Sequence, residues 1–213
     1  MNMKWQRIPL GPLQTNAYIL SNSNKDCIIF DPGGDAQKLL SIIKQQHLKP
    51  IAILLTHAHF DHIGALDGVR VIWDIPVYIH ENEKMWLKDP ALNGSLYFMP
   101  GHEISVKEAT HLLKEEGEIT VGSFNFSLFN TPGHSPGSVS YYCKDIGAVF
   151  SGDALFAGSI GRTDLPGGNS EQLLSSIHKK LLTLAEDTIV LSGHGPETTI
   201  EAEMDQNPFL HGF

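Results

Sequence analysis

The sequence predicts a layered α/β protein on three observations. Strand-like and helix-like periods alternate along the chain, beginning with a strand, a helix and a second strand. That second strand, residues 51–55, is a continuous apolar run of the kind buried on both faces of a sheet. Finally, 213 residues with 41% hydrophobic and 18% charged side chains suit one compact domain and exclude a disordered chain.

The elements follow in order. Residues 17–21 and 27–30 are short apolar strands separated by the polar turn 22–25. Asp31-Pro32-Gly33-Gly34 stops the second strand, and Asp35 is placed to cap a helix running to about His47, with Leu39, Leu40, Ile42 and Ile43 on its apolar face. Pro50 precedes the buried strand 51–55. Residues 64–80 predict a helix carrying Val69 and Trp73 toward the core, then a strand at 77–79. Residues 81–88 predict a short helix. Residues 89–103, broken by Pro90, Gly94, Pro100 and Gly101, predict a long loop, either a lid or a site wall, with 92–100 as the segment to contact substrate. Strands follow at 118–121, 124–129, 138–143 and 148–150. A well-patterned helix is predicted over 170–185, a buried strand at 189–191 and a short helix at 197–205. With no repeat, low-complexity tract or linker, residues 1–213 are expected to form one domain.

Charge narrows the function. Fifteen Lys and Arg against twenty-four Asp and Glu give a net charge of −9, which argues against non-specific binding to nucleic acid or anionic membranes. Two cysteines, Cys27 and Cys143, are too few for a disulfide scaffold or a four-cysteine metal site, and both are expected to be buried in strands. No run approaches the roughly 20 apolar residues of a membrane span, and Pro9, Gly11 and Pro12 interrupt the opening segment, so the expected location is the cytoplasm.

The chemistry is concentrated in Thr56-His57-Ala58-His59-Phe60-Asp61-His62, which directly follows the buried strand 51–55. Three His and one Asp within six residues form a cluster of metal-ligand type. Three later residues also follow strand-like runs and stand near glycines: His134 in Thr131-Pro132-Gly133-His134, Asp153 in Ser151-Gly152-Asp153, and His194 in Ser192-Gly193-His194-Gly195. Together they make seven candidate ligands, enough for two ions sharing one carboxylate. The nitrogen and oxygen donors suit zinc, iron or manganese.

THAHFDH, followed by TPGHSPGS, SGDALF and SGHGP, resembles the metallo-β-lactamase fold superfamily across essentially the whole chain, and within it the small bacterial glyoxalase II-like hydrolases. The resemblance implies a four-layer αβ/βα sandwich, two mixed sheets flanked by helices, without the long C-terminal helical substrate domain. It implies that His57, His59 and His134 hold a first metal, that Asp61, His62 and His194 hold a second, and that Asp153 bridges them. Asp61 and Asp153 are thereby the catalytic carboxylates. It implies two divalent ions, zinc first with iron or manganese as alternatives, and hydrolysis of a small-molecule thioester by a metal-bridging hydroxide. Thr56 is a candidate to orient a ligand by hydrogen bonding.

Departures from the superfamily's branches refine the substrate. Asp153 stands where one major class of β-lactamases carries a Cys ligand, which argues against β-lactam hydrolysis. Phe156 stands where the quorum-signal lactonases carry a Tyr. Arg162, after Gly161, falls where glyoxalase II binds a glutathione carboxylate; here it either binds such a carboxylate or pairs with Asp164. Gly195-Pro196 replaces the Tyr that the long enzymes use, so another thiol carrier than glutathione is open. Two alternatives remain: a single-iron persulfide dioxygenase, suggested by Gly161-Arg162-Thr163-Asp164, and a metal-binding protein without turnover. His47, His80, His102, His111, His178 and His211 match no ligand position of the family, and His178 is expected on the surface. The oligomeric state is open.

Overall fold

A computed structural model describes residues 2–211 of the chain. The chain divides into two compact units, Met1–Lys114 and Glu115–Phe213. Each holds one six-stranded mixed sheet with helices against it.

In the first unit the sheet order follows the chain: β1 (Lys4–Leu10), β2 (Thr15–Ser21), β3 (Asp26–Phe30), β4 (Lys49–Leu54), β5 (Val77–His80) and β6 (His111–Leu113). The first three strands pair antiparallel, and β3 to β6 pair parallel. Helix α1 (Ala36–Gln45) connects β3 to β4 and buries Leu39, Leu40 and Ile43. The one-turn α2 (Phe60–Ile63) and α3 (Leu66–Trp73) connect β4 to β5, and α4 (Ser95–Phe98) lies in the connection to β6. Leu39, Ile43, Leu66 and Val69 pack with Ile29, Ile53, Val77 and Ile79 of the sheet. Each such fully buried side chain contributes about 1.5–3 kcal/mol. Trp73 is half-buried against this core.

Several expectations change here. Asp35 stands at the start of α1 but does not cap it: its backbone is left-handed, and its carboxylate accepts the Gly11 N–H at 2.9 Å, tying down the β1–β2 turn. Helix α1 ends at Gln45, and His47 turns the chain with φ 54°. Residues 81–88 hold one 3₁₀ turn, Glu81–Glu83, and then further turns. The segment 89–103 includes α4 and is pinned from inside. The fully buried Asn93 donates to the carbonyls of Trp86 (3.0 Å) and Ile104 (2.9 Å) and accepts the Ser95 N–H (3.0 Å). That pattern describes a wall.

The second unit contains β7 (Gly117–Val121), β8 (Phe124–Asn130), β9 (Val139–Cys143), β10 (Ala148–Gly152), β11 (Leu155–Phe156), β12 (Ser159–Ile160), α5 (Ser170–Ser176), β13 (Ile189–Ser192), β14 (Thr198–Thr199) and α6 (Ile200–Gln206). Its main sheet has the order β14-β13-β10-β9-β8-β7; β10 and β13 are parallel and the other pairs antiparallel. Strands β11 and β12 form a separate ribbon. Asn169 caps α5 by accepting the Gln172 N–H at 2.9 Å. The helix predicted to Ala185 instead widens into a π turn, Ile177–Leu181, closed by Leu182 N–H on the Ile177 carbonyl at 3.0 Å. The widening keeps Leu173, Ile177 and Leu181 buried with Val149 and Val190. It also leaves His178 half-buried, with a shielded Nε2, where a surface position was expected. Cys27 and Cys143 are both buried. Among the described residues no helix is long and apolar enough to cross a membrane.

Candidate metal centre

Beyond β4 the chain leaves the first sheet through Thr56 and enters the ligand loop. His57, His59 and His62 are 1%, 5% and 0% exposed. The His57 ring lies 4.8 Å from that of His59 and 4.0 Å from that of His62, centroid to centroid. His59 is extended and begins α2, whose single turn brings Asp61 Oδ2 to 3.6 Å from His62 Nε2. The result is a His/Asp cluster able to bind metal.

What holds the loop is a buried carboxylate that the sequence reading treated only as the end of a strand. Asp31 Oδ1 accepts the Thr56 N–H at 2.8 Å, and its Oδ2 accepts the Thr56 hydroxyl at 2.6 Å and His62 Nδ1 at 3.0 Å. With its proton directed to Asp31, the Thr56 oxygen accepts His57 Nδ1–H at 3.1 Å. One carboxylate thus sets the Nδ1–H tautomer of two imidazoles, directly and through Thr56. Each ring then offers Nε2 as the metal-binding atom. Two more supports were missed. Thr15 donates its hydroxyl to Asp61 Oδ2 at 2.7 Å, and the fully buried Glu83 accepts the Ala58 N–H at 2.5 Å, between the two histidines. Trp86 places its ring 5.5 Å from that of His59. The one available signal for Asp31 was its place at the end of a parallel strand neighbouring the ligand strand, where sheet-edge sites form.

In the second unit the candidate ligands come from three strand ends. His134 follows β8 through Gly133, whose φ is +133° and where a Cβ would lie 2.2 Å from Leu173 N. Its Nδ1–H donates to the Arg162 carbonyl at 2.8 Å, so it too presents Nε2. Asp153 follows β10, and its Oδ2 lies 3.6 Å from His134 Nε2 and 3.5 Å from His194 Nε2. Gly193 N–H donates to the Gly152 carbonyl at 2.8 Å, joining the turns that carry Asp153 and His194. A Cβ on Gly161 would lie 1.9 Å from the Asp153 carbonyl oxygen. Phe156 sets its ring edge-on to His194 at 6.1 Å.

Arg162 makes the second of the two contacts its sequence context offered. Its guanidinium pairs bidentately with Asp164, Nε and NH2 each 2.7 Å from a carboxylate oxygen, and the pair is exposed. That bond holds the Asp164 carboxyl down at about 2. Among the described residues, His47, His80, His102, His111, His178 and His211 fall in no ligand group. His80 is buried, accepts the Asn82 N–H at 3.3 Å, and is pushed below the ordinary histidine pKa by burial.

Residues 10–194 match the metallo-beta-lactamase superfamily, and the chain belongs to it. Membership places it among the metal-dependent hydrolases. Among its relatives, the probable metallo-hydrolase YqgX of Bacillus subtilis is 62% identical, over 99% of each chain. The hydroxyacylglutathione hydrolase GloC of Haemophilus influenzae is 35% identical, over 98% of this chain and 99% of that one. The crystal structure of BLEG-1, named a B3 metallo-beta-lactamase, superposes with a TM-score of 0.96 at 60% identity, covering 98% and 100% of the two chains. TTHA1623, solved in a di-iron-bound form, gives 0.87 at 41% identity, covering 96% and 100%.

Proposed function

We propose that the protein is a thioester hydrolase with a two-metal centre. In this reading His57, His59 and His134 hold one ion, Asp61, His62 and His194 hold the other, and Asp153 supplies the shared carboxylate. The observation that carries it is the committed tautomer: His57, His62 and His134 each give Nδ1–H to an oxygen acceptor and so reserve Nε2 for a metal. The donor set of three imidazoles and an aspartate in one loop fits such ions, and a relative solved with two irons supports a pair. Zinc is the first candidate and iron the second. When bound, the ions would supply Lewis acidity and a nucleophile available near neutral pH.

The chain's own groups do the positioning. Asp31 and Thr56 fix the imidazole planes, Thr15 fixes the Asp61 carboxylate, and Asp153 places negative charge between two imidazoles at 3.6 and 3.5 Å. A thioester suits a site of this kind because a thiolate leaves without an acid to protonate it. GloC, the hydroxyacylglutathione hydrolase, supports that substrate class. The test is hydrolysis of a thioester panel, D-lactoylglutathione included, by metal-loaded protein. Asp61→Ala should lower kcat/KM at least about 100-fold. Full activity of that variant at limiting metal would contradict the two-metal reading.

A second reading is β-lactam hydrolysis. The sequence argued against it at Asp153, but BLEG-1 carries that name at 60% identity. A chromogenic cephalosporin belongs in the same panel, and turnover of it without thioester turnover would reverse the order of the two readings.

A further inference from the structure

On the first unit, a cavity of about 440 Å³ opens between the β1–β2 turn and the 95–102 segment. Pro12, Leu13, Phe60, Phe98 and Met99 line it, together with Pro100 and one ionisable residue, His102. A second cavity, of about 190 Å³, shares Pro12, Leu13, Phe60 and Met99 and reaches Asp61. The shared residues join the two into one apolar trough that runs from Phe98 to a candidate metal ligand. Phe60 stands at the junction. It lies between His59 and Asp61 in the ligand loop, and its ring stacks on Phe98 at 5.9 Å and 21°.

The trough keeps large apolar groups in water. Leu13 is 53% exposed and Phe98 49%. Apolar groups gathered in the walls of a concave trough are the kind of lining that takes an apolar ligand group. Its walls are also fixed in advance: Asp35 holds the Leu13 turn through Gly11, Phe60 N–H donates to the Asn93 carbonyl at 3.0 Å, and Asn93 pins the 95–102 segment through Ser95. A rigid apolar trough loses little freedom on binding.

We propose that this trough is the acyl subsite, taking the neutral, apolar acyl group of a thioester, a short to medium alkyl chain or a phenyl ring, with the scissile carbonyl at the Asp61 end. The proposal rests on the thioester reading above and narrows it to thioesters with apolar acyl groups.

The test gives the holoenzyme acetyl, butanoyl and hexanoyl thioesters of a single thiol. The expected kcat/KM rises about fourfold per added methylene. In Leu13→Asp and in Phe98→Asp the hexanoyl-to-acetyl ratio should fall at least about tenfold. A flat series from an active enzyme overturns the subsite and leaves the thioester reading standing. If no thioester is turned over, the thioester reading fails, and calorimetry with the S-hexyl and S-methyl thioethers of the same thiol tests the trough directly. Tighter binding of the hexyl compound, lost in Leu13→Asp, supports an apolar subsite; equal binding or none overturns it. Sedimentation velocity addresses a rival occupant: a dimer dissociated by Leu13→Asp, together with a flat series, assigns the trough to a second copy of the chain and overturns the proposal.

Discussion

The two ligand-bearing regions are built by opposite means. In the first unit four ligand-type side chains come from one stretch, residues 57–62, and other side chains hold them: Asp31, Thr56, Thr15 and Glu83. In the second unit three candidate ligands come from three strand ends, and backbone contacts are prominent in holding them, with the Ser192 hydroxyl donating to the His194 carbonyl at 2.8 Å. The Arg162 carbonyl takes His134, the Gly193 N–H meets the Gly152 carbonyl, and Gly133 admits close approach by Leu173. A compact ligand loop buries its own N–H groups and rings, so it needs acceptors brought from far along the chain. Dispersed ligands have ordinary strands behind them and need only room to converge. One device is common to both. Gly33 lies against the Asp61 carbonyl and Gly161 against the Asp153 carbonyl, where a Cβ would stand at 1.6 and 1.9 Å.

The contrast can be broken first at Asp31. Asp31→Asn leaves a group that cannot accept all three donors, so buried N–H and O–H groups lose their partner. Stability should fall by about 2–4 kcal/mol, and metal affinity by about 100-fold in competitive chelator titration. The shared device comes next. Gly33→Ala and Gly161→Ala should each cost about 1–3 kcal/mol in urea unfolding, because backbone on both sides must shift. A cost for only one of them would show that the carboxylate ligands are not seated alike.

The cysteines compare the closure of the two sheets. Cys27 in β3 is pushed up to about 12 by burial, and burial raises Cys143 in β9 as well. Neither should react with iodoacetamide at pH 8 in the native protein, and both should react after unfolding. The sign for Cys27 follows from a folded-state value above the unfolded one. The stability it contributes is intact below pH 9 and is lost as pH rises toward 12. The smallest effect belongs to Arg162→Ala. Since His134 is held by the residue 162 carbonyl, metal affinity should stay within about twofold. A large loss would mean that the Arg162–Asp164 pair, and not the carbonyl alone, places His134.

How much was legible in the sequence follows the same division. The candidate loop stood out because its residues adjoin, and His134, Asp153 and His194 because each follows a strand and stands near a glycine; the structure groups them as side chains that could hold a metal. The strand 51–55 and the Leu173–Leu182 pattern were strong local signals. Strand β1 was not seen: Lys4–Leu10 mixes charge with Pro9, which only an edge strand tolerates. The π turn at Ile177–Leu181 left the same apolar spacing as an α-helix. Thr15 and Glu83 had no local signal and Asp31 only its place at a strand end, since their partners lie 25 or more residues away and neither a strand-start Thr nor a buried carboxylate reads differently from any other. For Arg162 the sequence offered two partners, and the pairing with Asp164 is a matter of geometry that the sequence does not carry.

The most direct measurement is metal content per chain, by elemental analysis of protein purified without added metal or chelator, beside Asp61→Ala. The two-metal reading predicts about two divalent ions in the wild type and about one in the variant. Two ions retained in Asp61→Ala would contradict the assigned ligands. One iron in the wild type, with oxygen uptake on a persulfide, would contradict the hydrolytic reading itself.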